Sequence, residues 1–237
     1  MQSTASRPVP IHRYRRPPAA RPCGRVGRVI QSLVVLPLLR YFVPTSTTGK
    51  EHLDGLGAAI VVANHTSHLD VPTILGVLPA RVRSRVVVAA AKDYFFSSRL
   101  GALAVRTVFG AFPFDRDGDS SDSLQACRSA LATGRVLVLF PEGTRSPTGE
   151  LGRVRSGAAR LAEDVGVPIV PIRLDGLASV MPKGSRLPLP GAAHADIGRP
   201  IAPTGDIART HRLVERALGD HTVPTEEEEE EEEEEAA

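Results

Sequence analysis

The sequence predicts one α/β domain, in which a mostly parallel central sheet is flanked by helices and preceded by an N-terminal membrane-associating helical segment. Three observations support this prediction. Short apolar runs rich in Val and Ile recur along the chain, and such runs are typical of parallel strands buried on both faces. Helix-like segments separate these runs, which is the pattern of βαβ units. A chain of 237 residues, 42% of them apolar, is also long enough to bury one such core.

Residues 1–28 carry seven arginines, several prolines and no acid, so we expect a basic disordered arm that can bury little surface. Residues 29–44 form an apolar segment that polar residues and Pro37 interrupt, and it is shorter than the about 20 apolar residues that span a bilayer. The flanking arginines and Tyr41 favour an amphipathic, interfacial helix on a membrane surface with anionic lipids. The alternative is a core-packing first helix behind a solvated basic arm.

Strands and helices alternate over the first half of the domain. The predicted elements are a strand at 58–63, a helix at 71–78, a strand at 85–91, a helix at 98–109 and a strand at 111–114. Pro113 lies in the last of these. Because proline cannot donate to a sheet ladder, we expect a short or edge strand there.

The second half continues the alternation. The predicted elements are a helix at 121–132, a strand at 136–140, a helix at 157–165, strands at 167–172 and 195–197, and a helix at 206–218. Residues 220–237 include ten consecutive glutamates, which repel one another and predict an acidic disordered tail. The catalytic domain is therefore expected at residues 45–219.

Charge and cysteine content narrow the class of protein. The glutamate run at 226–235 holds ten of the 27 acids, so the other 17 acids oppose 29 cations and the rest of the chain carries a net charge of +12. Of these cations 26 are arginines, which suit phosphate and anionic headgroups, although a GC-rich coding sequence would give the same bias. Cys23 and Cys127 stand in no CxxC or Cys/His cluster, so neither a disulfide framework nor a structural zinc site is indicated. We expect a reducing, cytosol-facing location, no signal peptide and no nucleic-acid partner.

The main candidate for chemistry is the stretch Asn64–Asp70, NHTSHLD, which follows the predicted strand at 58–63. Sites of open α/β sheets lie at the carboxyl ends of strands. His65 can act as a base and Asp70 as its orienting acid, with the nucleophile supplied by the substrate. On a regular helix two positions five apart differ by about 140° around the axis, so a turn at residues 66–67 must bring the pair together.

A second polar loop, Phe140–Ser146, follows the predicted strand at 136–140 and should reach the same edge of the sheet. Gly143 allows close approach of a ligand to the backbone, Thr144 offers a hydroxyl, and Arg145 offers a planar cationic fork for a phosphate. These features predict an anion-binding loop. The alternative is an ordinary turn with an exposed pair of Glu142 and Arg145.

Two further cations are candidates for the same anion site. Lys92 follows the predicted strand at 85–91, and Arg116 follows the strand at 111–114 in an Asp-Arg pair. Each residue alone would be an ordinary solvated surface group. Their positions after strands favour a contribution to the pocket.

A metal site is the competing interpretation of the first motif, because His65, His68 and Asp70 form an H-x2-H-x-D pattern. It would make the protein a metal-dependent hydrolase. No other His or acid cluster in the sequence completes the ligand set, so we expect no metal and interpret His68 as a neighbour of the site.

Together, four segments resemble, in order and spacing, the four sequence blocks of the glycerolipid acyltransferases, the family of 1-acylglycerol-3-phosphate acyltransferases with its H-x4-D signature. The segments are His65 with Asp70, then 110–116, 140–146 and 167–172. The resemblance covers roughly residues 45–203, and the first and third blocks are the most specific. Two departures are Pro113 and the segment 152–157, where Arg153 and Arg155 stand in place of a common Phe-Lys-x-Gly pattern.

The resemblance implies an enzyme of phospholipid biosynthesis. His65 would take the proton of the acceptor hydroxyl, and Asp70 would orient its imidazole. Other residues would bind the glycerol and phosphate of the acceptor, namely Arg116, Glu142, Gly143 and Arg145. The fourth block, around Pro171, would shape the acyl or acceptor site.

The expected reaction moves a fatty acyl group from acyl-CoA or acyl-carrier protein to a lysophospholipid hydroxyl, turning 1-acylglycerol-3-phosphate into phosphatidic acid. The acyl thioester is a co-substrate, and no cofactor is expected. The alternatives are another lysolipid or glycerol-3-phosphate as acceptor, and a non-catalytic lipid-binding module. The expected location is the cytoplasmic face of the cell membrane, as a peripheral or monotopic protein.

Overall fold

The computed structural model describes residues 20–91, 98–115, 121–146, 148–182, 185 and 187–219. In these residues seven strands form one sheet. They are β1 Thr45–Thr48, β2 Ala59–Ala63, β3 Val86–Ala91, β4 Ala111–Phe114, β5 Val136–Leu139, β6 Ile169–Asp175 and β7 Ala193–Ile197. Their order across the sheet is β1-β7-β6-β2-β5-β3-β4, and all neighbours run parallel except β6 and β7. The predicted single α/β domain with a mostly parallel sheet is confirmed.

Nine α-helices lie in the described part of the chain. They are α1 Arg25–Ile30, α2 Leu36–Phe42, α3 Asp70–Val77, α4 Ala80–Arg83, α5 Arg99–Phe109, α6 Ser121–Ala132, α7 Gly157–Val165, α8 Leu177–Val180 and α9 Ile207–Gly219. A short 3₁₀ helix covers Lys50–Leu53. A π-helical turn, Gln31–Val35, joins α1 to α2, so that one continuous N-terminal helix runs through residues 25–42.

The central strand β2 is apolar at every position because both of its faces are covered. Ala59, Val61 and Ala63 face one side of the sheet, where they pack with residues of α3 and α8. Ile60 and Val62 face the other side and pack with α6, α7 and α9. Because successive side chains of a strand point to opposite faces, a strand covered on both faces needs a continuous apolar run.

The parallel pairing of β2 with β5 brings the two polar loops together. The pairing runs from Ala59 opposite Val136 to Val62 opposite Leu139, so both strands end at the same edge of the sheet. The loops that begin at Asn64 and Phe140 therefore leave the sheet side by side, as their sequences predict.

Three strands differ from the sequence-based prediction, and one of them, β7, begins at Ala193 rather than at residue 195. Strand β1 has the polar sequence TSTT at an outer edge, where it needs no apolar run on both faces, and it was not predicted. Strand β6 begins two residues later than predicted, because the amide of Val167 still donates to Ala162 O of helix α7. It then continues to Asp175 by pairing with β7, which no local apolar run signals.

The predicted boundary of the basic arm needs correction, because the N-terminal helix begins at Arg25 rather than Val29. Cys23 and Gly27 are buried. Gly27 approaches α5 so closely that a Cβ there would overlap the carbonyl oxygen of Thr107, and the side-chain amide of Gln31 donates to Val108 O. Packing on α5 therefore orders residues that the composition assigns to the arm. Residues 1–19 and the predicted tail at 220–237 lie outside the described residues.

The outer side of the N-terminal helix is largely apolar, with exposed arginines near both of its ends. Its exposed side chains include Val26, Val29, Leu33, Leu38 and Tyr41. No helix among the described residues is both long and apolar enough to cross a membrane.

Replacing Gly27 by Ala tests the packing of the N-terminal helix on α5. Alanine favours an exposed helix by about 1 kcal/mol over glycine, but here the added methyl group meets backbone that cannot move aside. We expect Gly27→Ala to lower the free energy of unfolding by about 1–3 kcal/mol in urea titrations, and to speed tryptic cleavage within the N-terminal helix.

Gly24→Ala is the matched control, since a Cβ at Gly24 meets nothing within 4 Å. Equal stability and equal cleavage rates for the two variants would contradict the close packing of the helix.

Candidate active site

The turn between β2 and α3 wraps around the carboxylate of Asp70. Asp70 Oδ2 accepts hydrogen bonds from the backbone amides of Thr66 at 2.8 Å and Ser67 at 2.9 Å, and it lies 2.7 Å from Nδ1 of His65. Asp70 is the first residue of α3, where the helix dipole favours a negative charge. A turn therefore closes the five-residue spacing between His65 and Asp70, but its central residues are 68–69, where the amide of Asp70 donates to Ser67 O, rather than the predicted residues 66–67.

The imidazole of His65 is fixed by contacts on its edge and on its face. Its Nδ1 faces Asp70, whose side chain is fully buried, while 19% of the His65 side chain is exposed. The ring stacks on Phe140, with 4.1 Å between the ring centroids and 23° between the planes. With Nδ1 directed at the carboxylate, Nε2 is the nitrogen that can take a proton from a bound molecule.

The backbone of His65 is held by the loop that follows β5. Its amide donates to Glu142 Oε1 at 2.6 Å, and its carbonyl oxygen accepts from the amide of Ser146 at 2.7 Å. The other carboxylate oxygen, Glu142 Oε2, accepts from the amide of Gly152 at 2.8 Å. Glu142 is buried, and its contacts position the backbone of His65; the substrate-binding role predicted for Glu142 stays a prediction.

Asn64 joins the start of the first loop to the neighbouring strand β6. Its side-chain amide donates to Leu174 O at 2.8 Å, and its side-chain oxygen accepts from the amide of Leu174 at 2.7 Å. The side chain thus pairs with both backbone groups of one residue, as a further strand residue would. The residue is buried, so these bonds leave neither partner unsatisfied.

An open cavity of about 680 Å³ lies on the outer side of the Phe140–Ser146 loop, within the usual size of ligand pockets. Its lining is formed by Glu142, Thr144, Arg145, Ser146, Thr148, Glu150, Leu151, Gly152, Arg153 and Arg155. Gly143 has a φ of +75°, and a Cβ there would lie 3.5 Å from the guanidinium carbon of Arg155. The cavity therefore combines three arginines with hydroxyl groups, which suits an anionic ligand.

His68 lies beside the base and does not replace it. Burial is the main cause that lowers the pKa of His68 below its ordinary value, and the charges of Arg145 and His65 act in the same direction. His68 is therefore neutral near pH 7. Across the described residues, no group of three His, Cys, Asp or Glu side chains is arranged to hold a metal ion.

The structure unites part of the predicted site. His65 and Asp70 are in contact, and Thr144 and Arg145 line the cavity together with Glu142 and Ser146, which hydrogen-bond to the His65 backbone. Lys92 and Arg116 lie outside the described residues, so their roles stay predictions.

Sequence reasoning missed the structural roles of two residues. Asn64 was only the first residue of a motif, and Glu142 was assigned to the substrate. The only local signal for the role of Asn64 was its position directly after a buried strand. The role of Glu142 depends on a partner 77 residues away, which no local pattern shows.

Glu142→Gln tests the role of the buried carboxylate as a connector. An amide group can accept through one oxygen only, so either the His65 amide or the Gly152 amide loses its partner. We expect the free energy of unfolding in urea to fall by about 1–3 kcal/mol. Glu150→Gln, at an exposed position of the same cavity, should change it by about 0.5 kcal/mol or less. Equal stabilities for the two variants would contradict the connecting role.

Comparison with known proteins gives a consistent set of relatives. A chloroplastic 1-acyl-sn-glycerol-3-phosphate acyltransferase from Brassica napus is 33% identical over 153 residues, which are 61% of this chain and 41% of that protein. The 1-acyl-sn-glycerol-3-phosphate acyltransferase alpha of Mus musculus is 27% identical over 191 residues, or 77% of this chain and 66% of that protein. The matched region thus spans about two fifths of the plant relative and two thirds of the mouse one.

The fold has a counterpart among solved structures. The 1-acyl-sn-glycerophosphate acyltransferase PlsC from Thermotoga maritima superimposes with a TM-score of 0.61, at 23% sequence identity and over 82% of each chain. The model of the acyltransferase family matches residues 45–175, which include His65, Asp70 and the loop after β5. Because this match covers more than half of the chain, the protein belongs to the acyltransferase family.

Proposed function

We propose that this protein transfers a fatty acyl group from an acyl thioester to the free hydroxyl of 1-acylglycerol-3-phosphate, giving phosphatidic acid. The observation that carries the proposal is the 2.7 Å contact between His65 Nδ1 and the buried Asp70 carboxylate, beside a cavity lined by arginines. The names of the Brassica and mouse relatives support the choice of acceptor.

The chemistry requires a base and an oriented alcohol. A secondary alcohol is a poor nucleophile at neutral pH, and Nε2 of His65 is available to take its proton during attack. The alcohol oxygen bonds to the thioester carbonyl carbon, the C–S bond then breaks, and the proton held by His65 goes to the leaving thiolate. Asp70 stabilises the imidazolium that forms between these two steps.

The acceptor phosphate is proposed to bind in the cavity beside the base. Arg145 and Thr144 line the cavity and lie on the same loop as Ser146, whose amide donates to the His65 carbonyl, so a phosphate bound there would be held by the loop that also contacts the proposed base. Arg153 and Arg155 add two guanidinium groups to the same lining. Lys92 and Arg116 are proposed as further ligands on the basis of their sequence positions.

The donor is proposed to be acyl-CoA or acyl-carrier protein, since both present the acyl group as a thioester. No cofactor is needed, because the thioester itself supplies the activated acyl group.

The proposed location is the cytoplasmic face of the cell membrane, as a peripheral or monotopic protein. The exposed apolar side of the N-terminal helix supports it, together with the exposed Arg25, Arg28 and Arg40 along the same helix. The sequence has no acid before Glu51, so nothing on this helix repels anionic headgroups.

His65→Ala tests the proposed reaction. Acyl-CoA and acyl-carrier-protein donors are each combined with 1-acylglycerol-3-phosphate, glycerol-3-phosphate or another lysolipid, and released thiol and lipid product are measured. We expect the parent to favour 1-acylglycerol-3-phosphate. His65→Ala and Asp70→Asn should each lower kcat by about 10²–10⁴-fold, the usual contribution of general base catalysis.

His194→Ala, on strand β7, is the matched control and should keep its activity within a few-fold. If the parent released no thiol with any pair, the chain would be better described as a lipid-binding module. Full activity in His65→Ala would contradict the assigned base, and preference for another acceptor would replace only the proposed substrate.

Leu33→Ser combined with Leu38→Ser tests the proposed membrane contact of the N-terminal helix. Both side chains are more than half exposed, so their replacement leaves the core intact. We expect the bound fraction in co-sedimentation with vesicles of phosphatidylcholine and phosphatidylglycerol to fall at least fivefold. Partitioning equal to that of the parent would contradict the contact.

A further inference from the structure

The connection between α8 and β7 carries two exposed leucines. Leu187 is 76% exposed and Leu189 is 60% exposed, although burial of an apolar side chain favours folding. The amide of Leu189 donates to Val180 O at 2.8 Å, so the segment is attached to the end of α8. Its leucines are therefore presented outward by an anchored backbone, and neither the core nor the proposed catalytic reaction uses them.

These leucines continue the apolar side of the N-terminal helix. Beyond Leu189, the amide of Gly191 donates to Phe42 O at 3.4 Å, and the amide of Ala193 donates to Pro44 O at 3.0 Å. The helix end at that point exposes Tyr41 and part of Phe42. The connection thus runs beside the end of the helix that is proposed to contact lipid, and both present large apolar side chains.

The other end of the connection reaches the turn that holds the base. The hydroxyl of Ser67 donates to Met181 O at 3.0 Å, and the amide of the same Ser67 donates to Asp70 Oδ2. Leu189 is hydrogen-bonded to Val180, and Met181, the next residue after Val180, is hydrogen-bonded to Ser67, so these two bonds link the leucine segment to the loop that contacts His65.

The charges around the exposed leucines indicate which kind of partner this surface binds. Residues 176–195 contain no acid, and neither do residues 1–50, while Arg40 is exposed on the adjoining helix. An apolar surface that is bordered by cations and lacks acids matches the interface of a bilayer with anionic headgroups.

We propose that Leu187 and Leu189 insert into an anionic phospholipid bilayer beside the N-terminal helix, and that this second contact admits the membrane-borne acceptor to His65. The acyl chain of a lysophospholipid can then stay in the bilayer while its headgroup reaches the site. This inference rests on the proposed function for the identity of the acceptor. The insertion itself does not depend on that function.

A tryptophan reporter tests the insertion without any activity measurement. The chain has no Trp, so Leu189→Trp creates a single emitter in the full-length protein. With vesicles of phosphatidylcholine and phosphatidylglycerol we expect its emission to shift to shorter wavelength, and brominated lipids to quench it at least twofold. Ile207→Trp, at an exposed apolar position on α9, is the matched control and should show neither change. An unshifted, unquenched Leu189→Trp would overturn the proposal and leave this surface to a protein partner.

The access role is tested with Leu187→Ser combined with Leu189→Ser. The acceptor is offered either as a long-chain lysophospholipid embedded in vesicles or as a short-chain, monomeric analogue in solution. We expect at least a fivefold higher apparent KM for the embedded acceptor, with kcat and all constants for the soluble analogue within twofold of the parent. Equal losses on both acceptors would show a merely structural loop, and no loss on either would also overturn the access role. An inactive parent would instead contradict the proposed function, while the tryptophan reporter would still decide insertion.

Discussion

The carboxylate of Asp70 is the constraint on which the site depends. One oxygen, Oδ2, receives two backbone amides and the ring of His65, so a single buried atom fixes the shape of the turn and the direction of the base. The loop after β5 then holds the same histidine through its backbone amide and carbonyl. If His65 is the base, as proposed, its fixed side chain and main chain need little rearrangement when a substrate arrives, which is how positioning lowers a reaction barrier.

Much of the fold could be predicted because short segments of the sequence identify its strands and helices. The run at 58–63 identifies a strand covered on both faces, and the parallel strand at 136–140 ends beside it. The pair of His65 and Asp70 could be predicted for the same reason, since the two residues lie within one turn. Contacts between distant segments were not predictable, and these include the bonds of Asn64 to Leu174 and of Glu142 to the His65 amide. Strand β1 was missed because a polar edge strand carries no periodic apolar signal.

The N-terminal helix shows how packing overrides composition. Its first turn belongs to an arginine-rich, acid-free stretch that resembles a disordered arm, yet Gly27 brings it against the backbone of α5. The outer side of the same helix remains apolar. One helix thus has a protein side and an exposed apolar side, and the connection before β7 is hydrogen-bonded to the end of this helix and to the end of α8.

The π-helical turn at Gln31–Val35 changes the direction in which the later side chains of the N-terminal helix point. A π turn holds one residue more than the α-helical path, and one extra residue rotates all later side chains by about 100° around the axis. Before the turn Gly27 points at α5, and after it Leu36 and Leu39 point at Gly76 of α3. The extra residue thus rotates the second half of the helix so that it faces α3, while the first half faces α5. If the N-terminal helix rotated to change its contacts with α5, its contacts with α3 would change as well. The π-helical turn therefore couples the position of α5 to that of α3, the helix that begins at Asp70.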